Sequence, residues 1–501
     1  MSNNKEETKK NKNEEKCKEN IEDINKDVVD DFVSTNHTVM IEGEKIEYTA
    51  TTGHLVIFEE EDEKGVRKKA KIFFIAYTKN GEDISKRPIT FSFNGGPGSS
   101  SVWLHLGVLG PRIVYAEKEE KAEPVNPPYK LENNPYSLLD VTDLVFIDPV
   151  STGYSRTLKN IKPQEYHNFK KDIESVGEFI RRYTSKFNRW LSPKFLIGES
   201  YGTTRASGLS GYLQENYGMY LNGIMLISAI LNFQTANFTY GNDLPYILFL
   251  PTYTATAWYH KKLPEETQKK QLKDLLDEVR EFALTEYNIA LMKGDAIPSD
   301  EREYIIEKLH KYTGLSKEYL KWTKLRINIY KFVKELMRKE GLTVGRLDSR
   351  YTGIDRDETG DVFMYDPSYT GILGAYTATF NHYIRTELGY ESELPYEILK
   401  PLYKDWDYSE FKNKFVEVTE TLRSAMTQNM ALKLFVGNGY YDLATPFFAT
   451  EYTINHLSLH EKLRKNFTMK YYEAGHMMYL HRPSLKQLKK DLAEFIKSAL
   501  K

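Results

Sequence analysis

From His37 to about Asn80, hydrophobic and polar positions alternate. Val39 and Ile41, Ile46 and Tyr48, and Leu55 and Ile57 stand two residues apart, and the run Ile72-Phe73-Phe74-Ile75-Ala76-Tyr77 follows. A period of two predicts strands, and turn signals at Glu42-Gly43-Glu44 and Thr52-Gly53 divide them into an antiparallel hairpin series. The pattern then changes to short apolar runs: Ile89 to Phe93, Asp143 to Asp148, Phe195-Leu196-Ile197, Ile224 to Ile230, Leu432 to Val436 and Thr468 to Tyr472. Nearly continuous apolar strands separated by helical stretches predict a mostly parallel sheet with helices on both faces.

Between Ile230 and Leu432 the period is helical. After Pro264, residues Leu272, Leu275, Leu276, Val279 and Phe282 fall on one helix face. Ser299 is a candidate cap for a second helix carrying Tyr304, Ile305 and Leu309, stopped near Gly314, and a third is predicted from about Ser316 to Arg338. Residues 240–365, with an end anywhere up to 410, read as an inserted helical cap over the sheet's C-terminal edge. The cap divides an α/β core into 36–239 and 366–501. Residues 1–35 are rich in Lys, Glu and Asn, without an aromatic before Phe32. Such a segment buries too little apolar surface to offset its ordering entropy, so a disordered charged tail is expected.

Composition narrows the picture only a little. A chain of 501 residues with 40% hydrophobic and 28% charged residues is that of an ordinary globular protein. Its net charge of −2 gives no reason to expect a nucleic-acid or membrane partner. Oligomeric state is not readable from it. One cysteine, Cys17, excludes intramolecular disulfides, and no apolar h-region follows Met1-Ser2-Asn3-Asn4-Lys5. Both observations favour a cytoplasmic location.

The chemistry begins at Gly198-Glu199-Ser200-Tyr201-Gly202, a G-x-S-x-G between a strand-like run and a helix-like one. Strand, sharp turn and helix is the setting of a nucleophile elbow, and it leaves Ser200 at a helix N-terminus, where the dipole favours negative charge. A hydroxyl needs a base, and His476 stands directly after the last core strand; His481 is its rival. The base needs an acid. Asp442 follows Leu434-Phe435-Val436-Gly437-Asn438-Gly439 and keeps the order Ser, Asp, His, whereas the rival Asp148 breaks it. The loop Asn94-Gly95-Gly96-Pro97-Gly98-Ser99-Ser100-Ser101 follows another strand and can aim backbone N–H groups at an oxyanion. Pro97 has no N–H, so Gly96 is the expected donor, with Tyr201 as the second. A phosphate loop is the weaker alternative, because its lysine is missing.

Together, Asn-Gly-Gly-Pro-Gly-x-Ser-Ser, Gly-Glu-Ser-Tyr-Gly and Gly475-His476-Met477 resemble the serine carboxypeptidase family of the α/β-hydrolase superfamily. Asn134-Pro135-Tyr136-Ser137, the stretch from Phe146 to Ser155 and Gly437 to Asp442 match as well. The resemblance covers most of residues 85–235 and 430–500, and the chain is most similar to bacterial-type members without disulfides. It implies an α/β-hydrolase fold with a lid inserted before the acid-bearing strand. It also implies removal of C-terminal residues from peptides by Ser200, Asp442 and His476, with no cofactor or metal. In the same resemblance Asn94 and Glu199 bind the substrate's C-terminal carboxylate and Met477 lines the leaving-residue site.

Three positions depart from the family pattern. Val108 stands where a second glutamate precedes the Leu-Gly-Pro, here Leu109-Gly110-Pro111; Ser92 replaces a tryptophan; and Ser99 replaces a cysteine. The carboxylate-binding network is therefore incomplete. That keeps two rivals in view, an esterase or acyltransferase on the same triad and a catalytically silent binding module. Tyr246, Tyr253, Trp258 and Tyr259 offer aromatic walls for a pocket under the cap, although such spacing is more often core.

Overall fold

The computed structural model describes residue 25 and residues 27–61, 65–118 and 121–501. Most of the charged tail expected over residues 1–35 lies outside these. Its last part does not belong to a tail: β1 (Asp31–Ile41) pairs antiparallel with β2 (Glu44–Glu61) from Asp31 onward. Phe32 supplies the reason, packing its ring on Phe74 and Phe187. The turn at Glu42-Gly43 is present, but Thr52-Gly53 is no turn, because β2 runs straight through it. Gly53 is there for a close approach. A Cβ on it would collide with the backbone at Asp31 and Phe32.

β3 (Gly65–Lys79) completes the antiparallel series. The parallel part comprises β4 (Ile89–Phe93), β5 (Asp143–Ile147), β6 (Lys194–Ser200), β7 (Gly223–Ala229), β8 (Lys433–Gly439) and β9 (Phe467–Tyr472). Among the described residues the main sheet has ten strands in the order β1-β2-β3-β5-β4-β6-β7-β8-β9; the tenth, Arg156–Thr157, pairs beside β3. Every neighbouring pair from β5 to β9 is parallel. This is the α/β-hydrolase architecture.

Side chains on the strands alternate between two apolar layers, as a period of two requires. Leu196, Ile224 and Leu226 face α1 (Phe169–Lys186) and α2 (Tyr201–Tyr217), while Phe195, Ile197, Met225 and Ile227 face the other way. A separate apolar cluster holds the insertion together, built around α3 (Leu244–Tyr259), α4 (Leu272–Phe282) and α5 (Ser299–Thr313). The single helix expected over Ser316 to Arg338 is instead two short ones, Lys317–Trp322 and Ile329–Glu335. Lys324 and Leu325 take positive φ between them, and the Asn328 side chain caps the second helix at Lys331 N.

The chain then crosses back under the sheet as α6 (Pro367–Thr386). Its buried Ile372, Ala375, Tyr376, Phe380 and Tyr383 join the second sheet layer with α7 (Arg482–Ala499). Among the described residues no helix is long and apolar enough to cross a membrane.

Candidate active site

Asn94, Ser200, Asp442 and His476 come from four different strands, and each lies at or just beyond the carboxyl end of its strand. Parallel strands leave that edge open to ligands. At Ser200 the chain turns abruptly. The pairing of β6 with β7 slips between Glu199 and Ser200, and Ser200 adopts φ 60°, ψ −129°, a strained conformation for a residue with a side chain. α2 starts at the next residue, so the Tyr201 amide is one of its free N-terminal donors. The strain lifts the serine hydroxyl off the sheet into a cavity of about 500 Å³, which Glu199, Gly96, Met477 and His476 also line.

His476 and Asp442 meet directly. His476 Nδ1 lies 2.8 Å from Asp442 Oδ2. A carboxylate only accepts, so Nδ1 carries the proton and Nε2 keeps its lone pair for a hydroxyl. Asp442 is fully buried and fixed by three further donors: the amides of Ala444 (2.8 Å) and Thr445 (3.0 Å) and the Thr445 hydroxyl (2.6 Å). The histidine loop is held as firmly. His476 N donates to Leu347 O at 2.7 Å, and its carbonyl accepts from Ser228 Oγ at 2.6 Å. Burial works against a charged imidazole here. The Asp442 carboxylate and its hydrogen bond, reinforced by Glu199, outweigh burial and raise the His476 pKa above its ordinary value.

The rivals stand elsewhere. His481 bonds Ser484 Oγ at 2.8 Å at the start of α7. Asp148 accepts from the Ser101 amide at 2.8 Å and so anchors the glycine loop rather than the histidine. That loop lies against the elbow. A Cβ on Gly95 would fall well inside contact distance of the Tyr201 and Gly202 amide nitrogens, so only glycine lets the two backbones approach. Gly95→Ala is therefore expected to push the loop from the elbow and lower kcat about 10²–10³-fold, the loss typical of a missing oxyanion donor. Steady-state kinetics beside an unchanged far-UV spectrum would measure it.

Asn94 and Glu199 are joined, with Asn94 Nδ2 donating to Glu199 Oε1 at 3.0 Å. Burial pushes the Glu199 carboxyl up to about 7 against the opposing pull of His476, Tyr479 and Asn94. Three contributors had no signal strong enough to find beforehand. Arg205, buried on α2, pairs with Asp172 at 2.9 Å and donates to Asn94 O at 2.6 Å, tying the glycine loop to the elbow helix. Thr445 braces Asp442; its spacing three residues on fits an Asx turn, which is a weak cue. Arg346 reaches the cavity from the insertion. Tyr246, Tyr253, Trp258 and Tyr259 pack in the apolar cluster around α3, which also takes in Tyr441 and Phe447, and the cavity's aromatic walls include Trp103, Phe233, Tyr330, Phe363, Tyr369 and Tyr403.

A sequence model of one family, serine carboxypeptidase, matches residues 43–489. The chain belongs to the serine carboxypeptidase family. The pheromone-processing carboxypeptidase KEX1 of Komagataella phaffii is 31% identical over 135 residues, 26% of this chain and 18% of that protein. Serine carboxypeptidase-like 34 of Arabidopsis thaliana is 28% identical over 170 residues, 30% of each chain. The matches thus span less than a third of these relatives' length. Among solved structures, a proline iminopeptidase from Mycobacterium smegmatis covers 89% of this chain and 99% of its own, with 12% identity and a TM-score of 0.37.

Residue 108 is one of the three positions at which the chain departs from the pattern it resembles. Val108 is fully buried in the apolar layer beside α6. The hydroxyls of Tyr376 and Tyr479 lie near Glu199 instead of a second carboxyl. A Cβ on Gly107 would run into both tyrosines.

Proposed function

We propose that the protein is a serine-type carboxypeptidase that removes C-terminal residues from peptides through an acyl-enzyme. The observation that carries this reading is the Asn94–Glu199 pair in the cavity of Ser200 and His476, a buried carboxyl whose pKa of about 7 keeps it partly protonated near neutrality. A protonated carboxyl can donate to a substrate carboxylate, and an ionised one repels it.

In the mechanism, Ser200 Oγ attacks the scissile carbonyl carbon as His476 Nε2 takes its proton. Asp442 holds the imidazolium, and the Gly96 and Tyr201 amides bind the developing oxyanion. His476 then protonates the departing amine, and Met477 lines the site that amine leaves from. Water, deprotonated by His476, resolves the acyl-enzyme and frees Ser200.

Two titrations shape the pH profile. His476 must be neutral to act as base, so kcat rises with pH through its raised pKa. Glu199 must keep its proton to hold a carboxylate, so KM for a free-acid peptide rises as pH passes about 7. Glu199→Gln is expected to remove the pH dependence of KM above that point, since glutamine does not titrate. A KM that still climbs with pH in the variant would argue against this role.

A second reading, ester hydrolysis or acyl transfer, draws on Val108, which leaves the carboxylate site with one acidic group. A blocked dipeptide with a free C-terminus, its C-terminal amide and a short-chain ester separate the two. Strong preference for the free acid supports the carboxypeptidase. Ester turnover without peptide cleavage supports the alternative.

A further inference from the structure

Among the described residues Arg346 is the one arginine or lysine that lines the cavity. Among the described residues its guanidinium makes no ion pair and no hydrogen bond, and its Nε is buried without a partner. A buried N–H left unpaired is costly, and on a cavity wall a ligand group or water can satisfy it. The acidic residues of the cavity do not pair with it. Asp366 also lines the cavity, but its oxygens accept from the amides of Arg346, Leu347 and Ser368 and from the Ser368 hydroxyl.

The backbone that carries Arg346 is fixed to the catalytic loops. Leu443 N donates to Arg346 O at 3.1 Å, next to Asp442. His476 N donates to Leu347 O at 2.7 Å, and Gly475 N to Asp348 Oδ2 at 3.2 Å. The backbone of residue 346 thus has a defined place relative to the histidine. Its charge opposes the raised pKa of His476, which puts it within electrostatic reach of the ring.

We infer that Arg346 binds a carboxylate of the peptide substrate and gives this enzyme its selectivity for anionic substrates. The inference rests on the carboxypeptidase reading and deepens it. Where the family pattern has a second glutamate, this chain has buried Val108, and the guanidinium supplies a fixed positive charge in the same cavity. A guanidinium stays charged throughout the working pH range and offers a planar pair of donors that matches a carboxylate. Glu199 loses its proton near pH 7 while the guanidinium keeps its charge, so Arg346 would lessen the loss of affinity above that pH without abolishing it. Two sources of carboxylate suit it, the substrate's C-terminus and an acidic side chain.

The test compares wild type, Arg346→Met and Arg346→Lys on three blocked dipeptides: a neutral one with a free C-terminus, its C-terminal amide, and that amide with glutamate in place of a neutral side chain. Arg346→Met is expected to lower the kcat/KM preference for the anionic substrate over the neutral amide about tenfold or more, mainly through KM. Arg346→Lys should restore part of it. A falling preference for the free acid assigns the C-terminal carboxylate; one for the glutamate amide assigns the side chain. Preferences unchanged in Arg346→Met, or a fall that Arg346→Lys reproduces in full, overturn the inference. Calorimetry on Ser200→Ala with and without Arg346→Met, titrated with the free-acid dipeptide and the glutamate amide, reads binding without turnover. Arg346-dependent binding with no peptide cleavage by wild type would retain Arg346 as a carboxylate site and refute the peptidase reading. Binding of both anionic peptides that is indifferent to residue 346 refutes the inference alone.

Discussion

Ser200→Ala is expected to lower kcat by about 10⁶-fold, on the order seen when a triad nucleophile is deleted. In the proposed mechanism the hydroxyl is the attacking atom. Thr203 is the nearest alternative on the elbow helix, but its hydroxyl donates to Ser200 O at 2.6 Å and accepts from Ile230 N at 2.9 Å, so it is tied into the turn. Folding should be little affected. Ser200 is only half-buried, its side chain caps nothing, and alanine removes a single oxygen from a strained φ that the surrounding loop already enforces. The loss should therefore appear in kcat, with little change in the melting temperature. Covalent labelling by an organophosphonate should disappear with it, and a variant that labels as strongly as wild type would remove Ser200 from the mechanism.

Asp442→Asn comes next, with an expected fall of about 10⁴-fold in kcat, the scale set by the same change in a serine protease triad. The asparagine carbonyl can still accept from the amides of Ala444 and Thr445, so the loop stays in place. Its NH₂ then occupies the position of Oδ2, facing a hydroxyl and His476 Nδ1. A donor there turns Nδ1 into an acceptor and moves the proton to Nε2. The imidazole can no longer take a proton from Ser200. A second effect has the opposite sense. The carboxylate raises the His476 pKa, so without it the residual activity should begin at lower pH than in wild type. A pH–kcat profile would show both, a lowered plateau and an acid limb displaced downward. A plateau near that of wild type would mean that Asp442 has no part in orienting the base.

The parts of this site that follow chain order were legible before any coordinates. Ser200 and Asp442 follow apolar runs that become buried strands, His476 follows the half-buried edge strand, and a parallel sheet sends all such strand ends to one edge. The glycine loop after Phe93 was legible for the same reason. What was hidden depends on contacts distant in sequence. Arg205 looks like any helical arginine until its helix packs beside Asp172. Arg346 sits in a stretch without periodicity, and hydrogen bonds with residues distant in sequence, among them Asp366, Leu443 and His476, bring it to the cavity. The errors were local. Thr52-Gly53 has the composition of a turn, yet its glycine serves a close strand crossing. The break at Lys324-Leu325 carries no proline or glycine to announce it.

The central claim is that the cavity around Ser200 hydrolyses peptides from their C-terminal end. A defined peptide library incubated with wild type and Ser200→Ala across a range of pH, with the products read by mass spectrometry, tests it most directly. The account predicts stepwise loss of single C-terminal residues with wild type, none with Ser200→Ala, and protection of amidated peptides. Internal cleavage, equal processing of amidated and free peptides, or identical products from both proteins would contradict it.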